Sequence, residues 1–282
     1  MRDRLAVLPQ YLLPKKWLTA AAGKLASAQL GGATTSFIRW FVGKYQVNMD
    51  EAAQPDIAHY RSFNEFFTRQ LRDGARPLAK ADLVCPVDGA ISQCGAIEQD
   101  QIFQAKGHHY STTALVGGDA ELAAKFSNGQ FATIYPSPRD YHRIHMPLRG
   151  KLQKMVYVPG DLFSVNPLTA RGVPGLFARN ERVVCVFETR IGPVVMVLVG
   201  ATIVGSMYTT WHGQVNPPRS RKPRHWDYQT QPIVLEQGDE MGRFLLGSTV
   251  VLLLPPGKTQ FAADWVAAKP VRLGEAMGSF PL

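Results

Sequence analysis

Apolar and polar positions change their spacing near residue 75, and the change divides the chain into two textures. From about residue 10 to 45, Leu12, Leu13, Trp17, Leu18, Leu25, Phe37, Ile38, Phe41 and Val42 recur among Lys15, Lys16, Lys24, Arg39 and Lys44. This spacing predicts helices with an apolar side and a basic border. Ser62-Phe63-Asn64-Glu65 has capping-box spacing and predicts a helix through about Leu71, with Phe63, Phe66, Phe67 and Leu71 as its core stripe. Past Pro77, short apolar runs at 131–135, 152–158, 182–188, 193–204 and 244–254 are punctuated by Gly, Pro and Asn, and they predict strands. Ser111 to Phe126 is the clearest later helical stretch. The expected fold is α+β: a small helical N-terminal region, residues 1–75, then a β-rich body, residues 76–282, with a few short helices.

Composition narrows this picture in three ways. Scattered rather than clustered, the 20 prolines and 25 glycines imply many turns and short elements. The 3 cysteines, Cys85, Cys94 and Cys185, are odd in number and lack ligand spacing, which argues against a disulfide framework or a metal site. The longest apolar stretch, Pro193 to Gly205, falls short of the roughly 20 residues a spanning helix needs, and it reads as a core strand pair. Pro9 and Pro14 break the first apolar run, and no small-residue cleavage site follows, so a removable signal peptide is not expected.

A net charge of +9 admits three classes of anionic partner: nucleic acid, acidic lipid and phosphorylated substrates. Charge alone does not choose among them. Residues 1–50 carry seven Lys or Arg against Asp3 and Asp50. Helices of that kind can lie in a headgroup layer, each nearby cation adding about 1 kcal/mol of attraction to anionic lipid. They can equally form a hairpin packed on the body of the protein, and the sequence leaves both readings open. Pro217 to His225, PPRSRKPRH, is too broken by proline for a regular helix or central strand and reads as a mobile basic loop.

Three places carry candidate chemistry. Gly247-Ser248 interrupts the aliphatic run 244–254, but Gly-Ser also occurs at 205–206 and 278–279, so the dipeptide alone is no signature. His142 and His145, three apart, would share a helix face but lie on opposite faces of a strand, where only one can enter a given site. By themselves they read equally as surface or core histidines. Asp88-Gly89 before an apolar segment is first of all a turn signal.

Longer segments join these places. Val87-Asp88-Gly89-Ala90-Ile91-Ser92, Gln104-Ala105-Lys106-Gly107-His108, the run from Ser137 to Pro147, Val158 to Asn166, Leu176 to Arg182 and Leu246-Gly247-Ser248-Thr249 resemble, in order, those of bacterial phosphatidylserine decarboxylase proenzymes. The likeness runs from about Tyr11 to the C-terminal end. It implies that Asp88, His145 and Ser248 form a self-cleavage triad, with His145 as base and Asp88 orienting its imidazole. Cutting between Gly247 and Ser248 would give chains 1–247 and 248–282 that stay associated, and would convert Ser248 into a pyruvoyl group, the electron sink for decarboxylation. His142 is a candidate acid for reprotonation.

The resemblance further implies phosphatidylserine as substrate, an anionic membrane surface as partner for residues 1–75, and peripheral attachment at the cytoplasmic face of the bacterial inner membrane. It implies no nucleic acid and no metal, and it leaves a homo-oligomer open. Two other classes compete. A serine hydrolase would use the same triad on an external ester, although Ser248 lacks the Gly-x-Ser-x-Gly elbow. A non-enzymatic basic binding protein would leave the ordered motifs without a reason.

Overall fold

The computed structural model describes residues 2–202, 206–247 and 249–281. Its body is built on one large antiparallel sheet. In spatial order its strands are Arg224–Asp227, Gly150–Val158, Arg182–Thr189, Gly192–Val199, Thr249–Leu254, Gln130–Tyr135, Gly89–Ala96 and Pro270–Val271; Val234–Leu235 also pairs with Gly150–Val158. The central strands read as continuous aliphatic runs because both faces are covered. Every residue of Thr249–Leu254 is buried, as is Val194 through Val199. A second sheet holds Gly213–Gln214, Ser206–Thr209, Glu240–Leu245 and Arg143–His145.

The helices cover one face of the body. Helices span Arg2–Val7, Pro9–Leu12, Lys15–Ser27, Gly32–Tyr45 and Phe63–Phe67. Ser62 caps the last of these by accepting from Glu65 N at 3.1 Å, as its spacing predicted, but the helix ends at Phe67 rather than near Leu71. Residues 69–72 instead turn back along 51–53, where Ala52 bridges Leu71. Ile38, Phe41, Phe63, Phe66 and Phe67 share one apolar cluster with Phe131, Val197 and Val251 of the large sheet.

These helices are apolar on both sides, which neither sequence reading anticipated. Lys15–Ser27 buries only Thr19 and Ala26 and turns Trp17, Leu18 and Leu25 outward, while Gly32–Tyr45 buries Ile38 and Phe41 and exposes Phe37 and Trp40. In Lys15–Ser27 small residues thus face the body and large ones face outward, whereas Gly32–Tyr45 carries large apolar residues on both sides. Among the described residues, no helix is long and apolar enough to cross a membrane.

Four other expectations change. Among the described residues of the run 193–204, one strand forms, Gly192–Val199, rather than a pair. The stretch 111–126 breaks into Thr112–Leu115 and Ala120–Ala124, because Gly117 and Gly118 take φ of 87° and 93°. The run 244–254 is not one strand: Glu240–Leu245 ends in the small sheet and Thr249–Leu254 begins in the large one. The basic loop is anchored, since Arg219 pairs with buried Glu181 at 3.0 Å and the Arg224 guanidinium lies 4.7 Å from the Tyr157 ring centre.

Candidate active site

The crossing between sheets brings the candidate residues to one edge. Val250 pairs with Ile134, and Tyr135, the next residue along, pairs with Ala90. Thr249 and Asp88-Gly89 therefore approach the same end of the large sheet. From the other side, Phe244 N donates to His142 O at 3.2 Å and Arg243 pairs with Arg143, which brings the end of Glu240–Leu245 beside the histidine segment. Gly247 and Thr249 are described; Ser248 lies outside the described residues.

Leu246 carries a φ of 81° while only 9% exposed. A buried leucine in the left-handed region costs on the order of 1–3 kcal/mol, so the chain enters the Gly247 position under local strain. Gly89 is required by close approach: a Cβ there would meet the Tyr135 carbonyl oxygen at 2.5 Å, so the backbone carrying Asp88 can press against the neighbouring strand only without a side chain.

Asp88 does not bond to His145. Its carboxylate is held by Arg76, with Nε at 3.0 and 3.1 Å from the two oxygens and NH2 at 2.6 Å, and it accepts from Leu273 N at 2.8 Å. Arg76 also reaches Glu51 at 2.7 Å, and these two carboxylates hold its guanidinium above its ordinary range against the cost of burial. The orienting role expected of Asp88 belongs to a backbone group. His145 Nδ1 lies 2.7 Å from Gly238 O, and because a carbonyl only accepts, Nδ1 carries the proton.

His145 Nε2 is then a bare lone pair, which accepts from the Tyr141 hydroxyl at 3.1 Å. Burial lowers the pKa of His145 and the Arg143 charge adds to this, opposed by the Gly238 carbonyl, by the charge of Glu240 and, least, by that of Asp88. Asp88 thus acts on His145 through its charge. Arg76 and Tyr141 line both of two adjoining cavities, one of about 660 Å³ that includes Asp88 and one of about 410 Å³ that includes His145.

His142 points the other way, as the alternation of a strand requires. It is fully buried, stacks on Phe67 with ring centres 4.0 Å apart, and its ring nitrogens make no well-formed hydrogen bond, only weak contacts with the Ser137 and Pro138 carbonyls. Burial first, and the Arg69 charge second, push its pKa down to about 3, although the Ser137 and Pro138 carbonyls oppose this. The structure therefore gathers Asp88 and His145 about Arg76 and Tyr141, while His142 stands against the core. Sequence reading assigned no role to Arg69, Arg76, Tyr141 or Gly238. The two arginines stand in a segment whose aromatic stripe was the only signal read there, and a cation within or just after such a stripe was the available cue.

Comparison with known proteins adds an independent line. The profile described as phosphatidylserine decarboxylase matches residues 63–279, and a second profile, PSD, matches residues 5–46. The chain is 72% identical over 277 residues to the phosphatidylserine decarboxylase proenzyme of Acidovorax ebreus (strain TPSY), covering 98% of each chain. It is 70% identical over 279 residues to that of Dechloromonas aromatica (strain RCB), covering 99% of each. With the proenzyme of Methylibium petroleiphilum it shares 69% identity over 282 residues and the full length of both chains.

Proposed function

Because this chain belongs to the phosphatidylserine decarboxylase family, we propose that it converts phosphatidylserine to phosphatidylethanolamine and carbon dioxide after cutting itself between Gly247 and Ser248. The observation that carries the reading is the His145 imidazole, whose proton is fixed on Nδ1 by Gly238 and whose Nε2 lone pair faces Tyr141 at the cavity wall. A base of this kind takes the Ser248 hydroxyl proton once that hydroxyl replaces Tyr141 on Nε2, and the serine oxygen attacks the Gly247 carbonyl carbon. Breaking the Gly247–Ser248 amide leaves an ester. Loss of a proton from the Ser248 Cα and cleavage of its Cβ–O bond then release Gly247 as a carboxylate. Water replaces the nitrogen of the remaining dehydroalanine, ammonia leaves, and residue 248 becomes a pyruvoyl end.

Two further features support this chemistry. The charge of Asp88 favours the imidazolium that forms as His145 takes the proton. Strain at Leu246 raises the starting chain toward a bond-breaking geometry. A pyruvoyl group supplies the electron sink for losing the carboxylate. His142 is the candidate donor of the returning proton, and its neutral, buried state means that it must first acquire one.

The outward Leu12, Trp17 and Leu25 beside Lys16 and Lys24 support peripheral attachment to an anionic membrane, which we assign to the cytoplasmic face of the inner membrane. Intact mass of the purified protein tests the central claim. Two fragments, the smaller with a blocked amino end, are expected, and Ser248→Ala and His145→Ala are expected to leave one chain without activity. An enzyme active as one uncut chain would overturn the pyruvoyl reading.

A further inference from the structure

The larger cavity is lined by four arginines, Arg69, Arg76, Arg139 and Arg272, and by Glu51, Asp88, Asp140 and Glu275. Three of these carboxylates are already engaged. Arg76 holds Asp88 and Glu51, Arg272 reaches Glu51 at 3.3 Å, and Asp140 accepts from Ser137 N at 2.6 Å and faces Arg139 at 3.9 Å. Arg69 differs from the other three. It is only 4% exposed, its NH2 donates to Arg139 O at 3.3 Å, and its Nε and NH1 have neither solvent nor a hydrogen-bond partner.

A buried guanidinium with two orphaned nitrogens is costly, and proteins retain such groups where an anion completes them. Burial lowers the pKa of Arg69, while Tyr60 and then Asp88, Glu51 and Asp140 oppose this by charge alone. Its planar fork suits two oxygens of one anion. We propose that Arg69 is the anion-binding group of this cavity and takes the phosphodiester oxygens of the substrate headgroup. The assignment rests on the decarboxylase reading.

Phosphodiester is favoured over carboxylate by the reaction itself. A guanidinium clamped on the carboxylate would stabilise the group that must leave as neutral carbon dioxide, and that binding would be lost on the way to the transition state. Held on the phosphodiester, the contact is the same before and after. An anion there also offsets the Arg69 charge, which after burial is the second cause of the lowered His142 pKa, and so moves that pKa upward when the headgroup is bound.

Calorimetry on the processed protein tests this with glycerophosphoethanolamine, inorganic phosphate and L-serine as probes. Glycerophosphoethanolamine is expected to bind, about 10- to 100-fold more weakly to Arg69→Gln, the loss appropriate to a charge-assisted hydrogen bond, with Arg69→Lys in between. L-serine is expected not to compete. On phosphatidylserine vesicles, Arg69→Gln should raise KM far more than it lowers kcat. Equal diester binding by wild type and Arg69→Gln would overturn the proposal, as would displacement by L-serine. Inorganic phosphate that vesicles cannot displace would point to a free-phosphate site and overturn the headgroup assignment.

Should Arg69→Gln lose its fold by circular dichroism, the wild type still decides, because bound diester must move the His142 ring signals toward a higher titration midpoint and an unmoved midpoint refutes the idea. Failure of the underlying reading shows separately, as an unmodified Ser248 and no carbon dioxide from the wild type, whatever binds at Arg69.

Discussion

His142 offers the sharpest quantitative test. Folded, its imidazole is neutral, with a pKa pushed from 6.5 down to about 3 by burial and by the Arg69 charge. Unfolded, it titrates near 6.5. Between those values the unfolded chain binds the extra proton, so this contribution to stability is fully present above pH 6.5 and is lost as pH falls toward 3. Each unit corresponds to about 1.36 kcal/mol, so at pH 4.5 the loss is about 3 kcal/mol. The assay is urea unfolding at pH 7 and pH 4.5 of Ser248→Ala protein, kept as one chain, with and without His142→Gln. The fall in unfolding free energy should be larger by about 3 kcal/mol in the protein that retains His142. Equal falls, or a His142 ring signal that titrates near 6.5, would refute both the burial argument and the need for a bound anion to supply the acid.

The remaining tests address the cavity wall and the helices. Arg76→Ala strands the buried Asp88 carboxylate and should lower stability by about 3–5 kcal/mol, read from the unfolding midpoint; a change below about 1 kcal/mol would mean that water replaces the guanidinium. Leu12→Glu with Trp17→Glu alters side chains that are 89% and 81% exposed, so unfolding should not change while sedimentation with anionic vesicles weakens at least about tenfold. Unchanged vesicle binding would remove these helices from the membrane reading. Point changes serve better than truncation, because Val7, Ile38 and Phe41 belong to the core cluster.

Period and punctuation made much of the body legible. The runs 131–135, 152–158 and 182–188 fall within strands of the large sheet, because a strand covered on both faces over most of its length is apolar over most of its length, the half-buried Gln153 and Lys154 interrupting only the second run. The same rule misled at 244–254. Two buried strands of different sheets, joined through residues 246–248, have the composition of one long strand, and local hydrophobicity carries no sheet membership. At the site, residue types of candidate catalysts were readable and their partners were not. Asp88 and His145 were found by motif, yet Arg76 on the first and Gly238 on the second are contacts spanning 12 and 93 residues that only the folded chain creates. His142 was recognised as a candidate acid, but its burial against Phe67 and its proximity to Arg69 depend on the turn after the capped helix, whose end the sequence placed four residues too late.

The sheet topology also decides what happens to the two products of a cut after Gly247. Residues 249–281 are interleaved with the rest of the sheets. Thr249–Leu254 lies between Gly192–Val199 and Gln130–Tyr135, all six of its side chains buried, while Pro270–Val271 pairs with Gly89-Ala90 and Ala276–Ser279 with Leu83–Val84. Five aliphatic side chains in that strand alone would return to water on separation, at about 1.5–3 kcal/mol each, and the two flanking strands would lose their ladder partners. Cutting removes one covalent bond at the sheet-to-sheet crossing and leaves these contacts in place. The processed protein should therefore elute from gel filtration as a single species containing both fragments, and the fragments should part only where urea unfolds the sheet. Release of the small fragment under native conditions would show that Thr249–Leu254 is not the central strand of the processed protein.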